Sequence, residues 1–311
     1  MTVTEAPCDL VPPPDLAPSP LESLEQIVAG ACDLAVLPQV VLRVLDLTND
    51  SKTTAADLEK IIGLDQALAA KILALANSSY YGMPRQISSL REAAVFLGSK
   101  TIRNMAATIT TFNLFLGRGD TPALARRALW RHSVDTAQCA RVITGMLNHS
   151  AQEAVGADQA YTGGLLHDIG KMALDRSRHG LFVSITHLAE VQHVRFHEIE
   201  EEAMPFGHGQ IGGALAARWD LPPALCEAIT FHHTPRAASL NPKLTATISL
   251  ANEMAHCLEN AAEGDKDAAR THLLEAGREP AIPLRVSEDC LQAMARACRA
   301  ELDKGLSGLA V

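Results

Sequence analysis

Residues 164–171 read Gly164-Leu165-Leu166-His167-Asp168-Ile169-Gly170-Lys171. An apolar segment of helical character leads into the adjacent imidazole and carboxylate of His167 and Asp168. Two neighbouring side chains of these types can flank one metal ion from two directions, but a divalent ion needs several such ligands. A mixed nitrogen and oxygen set favours iron, manganese or zinc over the all-oxygen sites of magnesium and calcium. The stretch therefore predicts a candidate metal site and directs attention to the other histidines and acids.

Four further histidines and one asparagine could complete this site. They are His132 on a predicted upstream helix, His208, His232 and His233 at or near predicted helix ends downstream, and Asn252. Together with His167 and Asp168 they form the candidate ligand set for iron, manganese or zinc.

Each member of this set also has a metal-free interpretation. A single histidine near a helix packing surface is more often a core or boundary residue than a ligand. His232 and His233 could end a helix, where a partly cationic imidazole is favoured by the dipole. Asp168 could fix the tautomer of His167 in a hydrogen-bonded pair that joins two helices. Both interpretations stay open from the sequence.

The composition predicts an all-α fold. The 311 residues are 47% hydrophobic and 20% charged, which is enough apolar material for one large or two medium-sized cores. Aromatic residues make up only 4% of the chain, and alanine and leucine dominate, so local preferences favour helix.

The charge balance and the cysteines bear on partners and location. The formal net charge is -9, and the basic residues are scattered, which argues against DNA as a partner. No uncharged apolar run reaches bilayer-spanning length, and the first residues lack the regions of a signal peptide. The 7 cysteines are odd in number and suit neither a disulfide framework nor a zinc ribbon. We therefore expect a cytoplasmic protein that engages neither DNA nor membranes.

Shifts in composition predict four regions. Residues 1–22 are rich in proline, which removes amide donors and fixes φ, so we predict a disordered leader. An N-terminal helical lobe is predicted over 23–118 and a second helical lobe over 123–258, separated by a Gly-Arg-Gly-Asp-Thr-Pro stretch at 117–122. A C-terminal helical extension is predicted over 265–311.

Local signals predict individual helices inside these regions. Thr54 followed by Asp57 is typical of a capped helix start. Residues 65–76 place their larger apolar side chains on one helical face. Residues 287–304 repeat apolar side chains at helical spacing, which predicts a terminal helix that packs on the body or on a partner.

The order of the candidate ligands resembles the HD superfamily of metal-dependent phosphohydrolases. That superfamily carries a His, then His-Asp, then a distant Asp, and the matching positions here are His132, His167, Asp168 and Asn252. The last position departs from the pattern. An amide oxygen is neutral and a weaker ligand than a carboxylate, so the charge of an ion would be less compensated.

His208, His232 and His233 resemble the additional ligands of the HD-GYP branch, which hydrolyses cyclic dinucleotides at a site of two or three metal ions. The chain departs from that branch after His233, where Thr234-Pro235-Arg236 replaces the Gly-Tyr-Pro loop.

The first lobe is similar to the HDOD domain family. The residues that carry the resemblance are Leu37-Pro38, Asp57-Leu58, Ile61-Ile62, Asp65, Leu68, Lys71-Ile72-Leu73, Ala76-Asn77-Ser78, Ile87-Ser88-Ser89-Leu90, Ala93 and Leu97-Gly98. In the second lobe it continues through Trp130, residues 164–171, Glu201, His208, Gly212 and Trp219-Asp220-Leu221-Pro222. It implies a two-lobed helical domain with an HD-phosphohydrolase-like core, found in bacterial signalling proteins and usually regarded as regulatory.

Three functions stay open at this point. The first is a non-catalytic or weakly catalytic signalling module that binds a metal, a nucleotide or a protein partner. The second is a metal-dependent phosphodiesterase or other phosphohydrolase acting on a (cyclic di)nucleotide. Asp168 and Lys171 would be its catalytic residues, with Lys171 meeting a substrate phosphate. The third is a metal-free scaffold that docks signalling proteins.

Two other groups favour an ordinary surface role. His193 and His197 have the spacing of a metal pair, but the acidic residues and Arg195 around them predict a solvated helix face. We predict the same for the arginines, including Arg103, that could otherwise add positive charge near the site.

Overall fold

The computed structural model describes residues 23–31, 54–116, 123–147, 155–263, 275 and 277–305. Within these ranges the regular elements are α-helices and one short 3-10 helix, and no strand occurs. The all-α class expected from the composition is confirmed.

The described part of the chain up to residue 116 forms four short helices with polar N-caps and one longer helix. They are α1 (Leu24–Gly30), α2 (Ala55–Ile62), α3 (Gln66–Ala76), α4 (Leu90–Leu97) and α5 (Ser99–Leu116). Thr54 caps α2 in a reciprocal box with Asp57, whose carboxylate accepts from the Thr54 amide at 2.9 Å. In α3 the residues Leu68, Ile72 and Leu75 are buried. The capped start and the apolar face predicted from the sequence are both confirmed.

The remaining described helices surround the candidate ligands. They are α6 (Ala123–Leu147), α7 (Ala157–Leu166), α8 (Ile169–Ser177), α9 (His179–Gln192), α10 (Phe196–Ala203), α11 (His208–Arg218), α12 (Pro223–Thr230), a 3-10 helix (Pro235–Ala237), α13 (Pro242–Glu263), α14 (Arg278–Leu284) and α15 (Glu288–Leu302). The long helices α6 and α13 pack against each other and against α7, so that residues far apart in sequence face one another.

Two glycines in residues 164–171 allow neighbouring helices to approach closely. A Cβ atom on Gly164 would lie 2.8 Å from the Cα of Ala137 in α6. A Cβ atom on Gly170 would lie 1.9 Å from the carbonyl oxygen of His208 in α11. Both neighbours are main-chain atoms, so a side chain at either position would push the helices apart. The glycines therefore hold His167 and Asp168 against the elements that carry the other histidines.

The apolar core runs through both halves of the described chain. One cluster of buried side chains joins residues of α1 to α5, such as Ile72, with residues of α6 to α12, such as Leu165. A second cluster contains Leu291, Met294 and Cys298 of α15, packed with residues of α6 and α13. The terminal helix predicted from its apolar spacing therefore packs on the body.

Some sequence predictions fall outside the described residues. These are the leader at 1–22, the Leu37-Pro38 pair of the HDOD resemblance and the boundary stretch at 117–122. The division into an N-terminal lobe, a second lobe and an extension stays a prediction. Among the described helices, none combines the length and apolarity needed to span a bilayer.

Candidate metal centre

His167 and Asp168 lie at the junction between two buried helices. Helix α7 ends at Leu166 and α8 begins at Ile169, so the pair occupies the turn between them. Both side chains are almost fully buried, with relative exposures of 0% and 1%. Burial of a carboxylate is costly unless it is paired with positive charge or a metal.

Three histidines are oriented by hydrogen bonds on their outer nitrogens. His167 Nδ1 lies 2.7 Å from the carbonyl oxygen of Gly164, and His232 Nδ1 lies 2.7 Å from that of Ile229. A carbonyl can only accept, so each Nδ1 carries the proton and each Nε2 presents its lone pair inward. His208 Nδ1 makes the equivalent bond to Glu200 Oε2 at 2.7 Å. Such bonds to the outer nitrogen are the usual support of metal-binding histidines.

The inward atoms converge on one point, which we call the Asp168 cluster (Asp168, His208, His232 and His233). His208 Nε2 lies 3.1 Å from Asp168 Oδ1, 3.2 Å from His232 Nε2 and 3.1 Å from His233 Nε2. The candidate ligand atoms all lie within 4.8 Å of one another.

The spacing and chemistry of this cluster fit a transition metal ion. Ligand atoms about 2.1 Å from one ion are separated by roughly 3.0 to 3.4 Å at octahedral or tetrahedral angles. Asp168 Oδ1 is buried without a well-aligned hydrogen-bond partner among the described residues. Lone pairs that face one another at these distances are stabilised by a proton or a metal ion between them. Three imidazoles and a carboxylate are ligands that zinc, iron and manganese accept.

The protonation states of Asp168, His232 and His233 are those of metal ligands. Burial, followed by the neighbouring histidines, lowers the pKa values of His232 and His233 well below the ordinary value, so both are neutral near pH 7. Burial alone would raise the pKa of Asp168, but His167, Lys171 and His208 hold it well below its usual range. A charged carboxylate among neutral imidazoles is what a divalent cation requires.

His208 differs from its neighbours in its titration. Burial lowers its pKa, but Glu200 and Asp168 outweigh burial, so that the pKa of His208 is raised. A proton on His208 Nε2 would supply positive charge at the same point as a metal ion. The raised pKa therefore indicates that the carboxylates around His208 make the centre of the cluster favourable for a positive charge.

The second oxygen of Asp168 faces a different group of residues. Oδ2 lies 2.8 Å from Lys171 Nζ and 3.5 Å from His167 Nε2. His167 Nε2 has no hydrogen-bond partner among the described residues although it is fully buried. Lys171 also lies over the Phe196 ring, 5.3 Å from its centroid. Asp168 thus joins the cluster to a lysine that could meet an anionic ligand.

His132 and Asn252 pair with each other instead of joining the cluster. His132 Nε2 lies 2.9 Å from Asn252 Oδ1 and 4.0 Å from Asp168 Oδ2. Asn252 thus contacts the site by its hydrogen bond to His132. Of the residues predicted as ligands, His208, His232 and His233 converge on Asp168. His132 and His167 form a further group with Asp168, with ligand atoms also within 4.8 Å of one another, and Asn252 bonds to His132.

A cavity of about 690 Å³ adjoins the site. Its polar wall contains His132, Asp168 and Lys171, and its apolar wall includes Phe182 and Phe196. Ligand pockets in proteins typically measure roughly 300 to 1,000 Å³. The volume of this space therefore falls within the range of small-molecule pockets.

Sequence reasoning missed four residues at the site. They are Glu200, His197, His256 and Glu259. His256 and Glu259 follow Asn252 by four and seven positions on α13, a helical spacing that could have revealed them. Glu200 carried no local signal, because its partner His208 lies in the next helix.

Two surface predictions need correction. His193 is exposed as predicted, but His197 stacks on His233 with ring centroids 3.9 Å apart, so it belongs to the site wall. Arg103 is buried and pairs with Asp158 instead of lying on a solvated face. In both cases the packing of a neighbouring helix, which the sequence does not display, covers the side chain.

The model of the HDOD domain family matches residues 34–235. An uncharacterised protein from Treponema pallidum (strain Nichols) is 26% identical over 221 residues, which are 71% of this chain and 42% of that protein. The chain therefore spans less than half the length of that relative.

Solved structures share the fold. An HDOD domain protein of unknown function from Geobacter sulfurreducens has a TM-score of 0.69 and 26% identity, with 91% of this chain and 99% of that chain covered. A candidate phosphohydrolase from Shewanella amazonensis SB2B has a TM-score of 0.71 and 20% identity over 91% and 96% of the two chains. A candidate signal transduction protein from Marinobacter aquaeolei VT8 has a TM-score of 0.61 and 21% identity over 84% and 59%. The last two are similar in fold alone.

Proposed function

The chain belongs to the HDOD domain family, and on that basis we propose that it is a regulatory signal-transduction module that holds a divalent iron, manganese or zinc ion. The Asp168 cluster would bind the ion through Asp168, His208, His232 and His233. The observation that carries this proposal is the convergence of their ligand atoms, with His232 and His208 oriented by hydrogen bonds on Nδ1.

The regulatory part of the proposal rests on what lies beside the cluster. In the HD pattern a carboxylate stands where this chain has Asn252, and here the Asn252 amide is engaged with His132. Lys171 meanwhile occupies Asp168 Oδ2 at 2.8 Å. Both features reduce the negative charge available to a second ion beside His167. We therefore propose little or no turnover, with binding of ligand and metal as the signal that protein partners detect.

The cavity next to the cluster supports a small-molecule ligand. Its volume of about 690 Å³ and its two phenylalanines suit a flat ring, and Lys171 is placed to pair with a phosphate. We propose a nucleotide as the ligand class. Its binding would displace the ammonium of Lys171 from Asp168 and so change the packing of α8.

A metal-dependent phosphohydrolase is the second candidate. The intact Asp168 cluster and the lysine at the cavity wall favour it, and the similarly folded Shewanella protein carries that candidate assignment. An ion bound in the cluster would supply an activated water at neutral pH. Lys171 would hold the substrate phosphate, and the apolar walls around Phe182 and Phe196 would limit the entry of other water.

Elemental analysis of untagged protein, purified without chelator, tests the metal. We expect about one equivalent of iron, manganese or zinc in the wild type and a loss of it in Asp168→Ala and His232→Ala. His167→Ala tests whether that neighbour contributes. The exposed His193 lies at a left-handed φ of 55°, which asparagine tolerates, so His193→Asn is the matched control. A folded wild type that takes up none of the three metals would contradict the proposal.

Activity and partner assays separate the alternatives. Metal-loaded protein that hydrolyses a cyclic dinucleotide or a generic phosphodiester, with loss of the rate in Lys171→Ala, would favour the enzyme. Equal, negligible rates in both proteins would remove the enzyme for those substrates. Capture of signalling partners that is unaffected by chelation and by Asp168→Ala would favour a metal-free scaffold.

A further inference from the structure

A second group of potential ligands lies on the other side of His132. Helix α13 carries Asn252, His256 and Glu259 at positions i, i+4 and i+7, which places them on one helical face. The His132 and His256 rings stack with centroids 4.0 Å apart and an interplanar angle of 27°. His132 Nδ1 lies 3.9 Å from Glu259 Oε2. We call His132, Asn252, His256 and Glu259 the His132 corner.

Asn252 determines which nitrogen of His132 can bind a ligand. The amide oxygen of Asn252 only accepts, so His132 Nε2 donates its proton to it across 2.9 Å. In the neutral ring Nδ1 then carries the lone pair. That atom is buried and has no hydrogen-bond partner among the described residues. The free ligand atom of His132 is therefore Nδ1, which lies 3.9 Å from Glu259 Oε2, while His256 stacks on the face of the His132 ring.

We propose that His132 Nδ1, His256 and Glu259 form a second cation site, separate from the Asp168 cluster, which binds a first-row divalent metal ion such as Zn²⁺. Two imidazoles and one carboxylate with open positions are a common set for catalytic zinc and non-haem iron. One ligand atom from each of the three residues lies within 4.8 Å of the other two. The side chain of Glu259 is 41% exposed, so it can close the remaining distance.

The surroundings of the corner suit a cation. Burial, followed by His132 and Arg195, lowers the pKa of His256 well below its ordinary value, so both imidazoles are neutral and able to coordinate. The charge of Arg195 is matched by Glu253 at 2.7 Å. Glu259 adds a carboxylate to these two imidazoles.

The site would open to the same cavity as Lys171. His132, His256 and Glu259 all line the space of about 690 Å³. Three protein ligands leave coordination positions for an external donor, so an anionic molecule in the cavity could reach the ion. Without such a ligand, the three residues of the second site would bind an ion more weakly than the four residues of the Asp168 cluster would.

Calorimetric titration of metal-free, full-length protein with Zn²⁺ tests the second site, and Co²⁺ absorption spectra report its geometry. We expect two binding events in the wild type. His256→Ala and Glu259→Gln should each remove the weaker event and keep the tighter one. His232→Ala should remove the tighter event alone. Because the two sites have separate variants, failure of the Asp168 cluster to bind leaves this proposal measurable.

Two further variants guard against a simple loss of structure. Asn252→Leu keeps the side-chain size but removes the acceptor that orients His132, so the weaker event should lose about tenfold in affinity. His187→Ala removes an exposed histidine at the same cavity and should keep both events. Zn²⁺ binding by the wild type that is unchanged, in number of equivalents and in affinity, by both His256→Ala and Glu259→Gln would overturn the proposal.

Discussion

The Asp168 cluster and the His132 corner lie side by side but are held by different means. In the cluster, His232 is oriented by a main-chain carbonyl, and His208 by the buried carboxylate of Glu200. In the corner, His132 depends on one amide, Asn252, and on stacking with His256. A main-chain anchor keeps its direction whatever the nearby side chains are. Where a side chain is the anchor, one substitution of that side chain can change the direction of the ligand atom.

The largest effect is expected when the packing beneath the cluster is broken. In Gly170→Ala the new Cβ would lie 1.9 Å from the His208 carbonyl oxygen and 2.8 Å from the Gly212 nitrogen. These main-chain atoms cannot move aside locally, so we expect the free energy of unfolding to fall by about 3 kcal/mol or more. Urea denaturation measures it, and metal uptake should be lost as well.

Gly145→Ala is the matched control for this substitution. Gly145 lies in α6 at an exposed position, and a Cβ there meets nothing within 4 Å. Alanine should stabilise this helix by about 0.5 to 1 kcal/mol. If both glycine variants lose the same stability, close helix approach at residue 170 is the wrong explanation.

The next effect concerns the anchor of His208. Glu200→Ala removes the carboxylate that accepts from His208 Nδ1 at 2.7 Å, so the ring is no longer held with Nε2 inward. We expect metal affinity to drop by about 10 to 100-fold, measured by calorimetry with Zn²⁺. Glu201→Ala changes an exposed neighbour on the same helix and should bind as the wild type does. Unchanged affinity in Glu200→Ala would show that the anchor is dispensable.

The metal-free protein should lose stability as the pH falls. Burial lowers the pKa of His132 to about 3 from its model-peptide value of 6.5, and burial also lowers the pKa values of His232, His233 and His256. The unfolded chain binds these protons below about pH 6.5 and the folded chain does not. The stabilisation is thus complete above that pH and declines toward pH 3, by about 1 kcal/mol per unit for each histidine.

Urea denaturation in chelator at pH 7.5, 6.5 and 5.5 measures this slope. His208 acts in the opposite direction, because its raised pKa gives stability below pH 6.5 that is lost as the pH rises through the folded value. One such group is outweighed by the several lowered ones. His132→Phe should reduce the slope below pH 6.5. A stability that rises on acidification would contradict the protonation states given above.

The smallest effect is expected from Asn252→Asp, which brings the chain back to the HD pattern. A carboxylate here adds negative charge near Asp168, so the metal-free protein should melt slightly lower and bind Zn²⁺ up to about tenfold more tightly. Thermal melts with and without Zn²⁺ measure both changes. A hydrolysis rate that appears with this substitution would support descent from an enzyme, whereas weaker Zn²⁺ binding would contradict the charge argument.

Much of the candidate site could be predicted from residue types and their order. His167, His208, His232 and His233 were proposed as ligands with Asp168, and the structure brings their side chains together. The sequence could not show that Asn252 would engage His132, since the two residues are 120 positions apart. Nor could it show that His197, in an acidic segment, stacks on His233.

The sequence by itself determined the helical class, the capped start at Thr54 and the buried face of α3. Capping and helical periodicity involve residues within one or two turns, so they can be recognised in a single stretch of sequence. Only the tertiary structure decided that His132 bonds to Asn252 and His208 to Glu200, and so which nitrogen of these two rings remains for a ligand. That choice depends on how helices such as α6, α11 and α13 pack, because a step of one residue turns a side chain by about 100° around its helix.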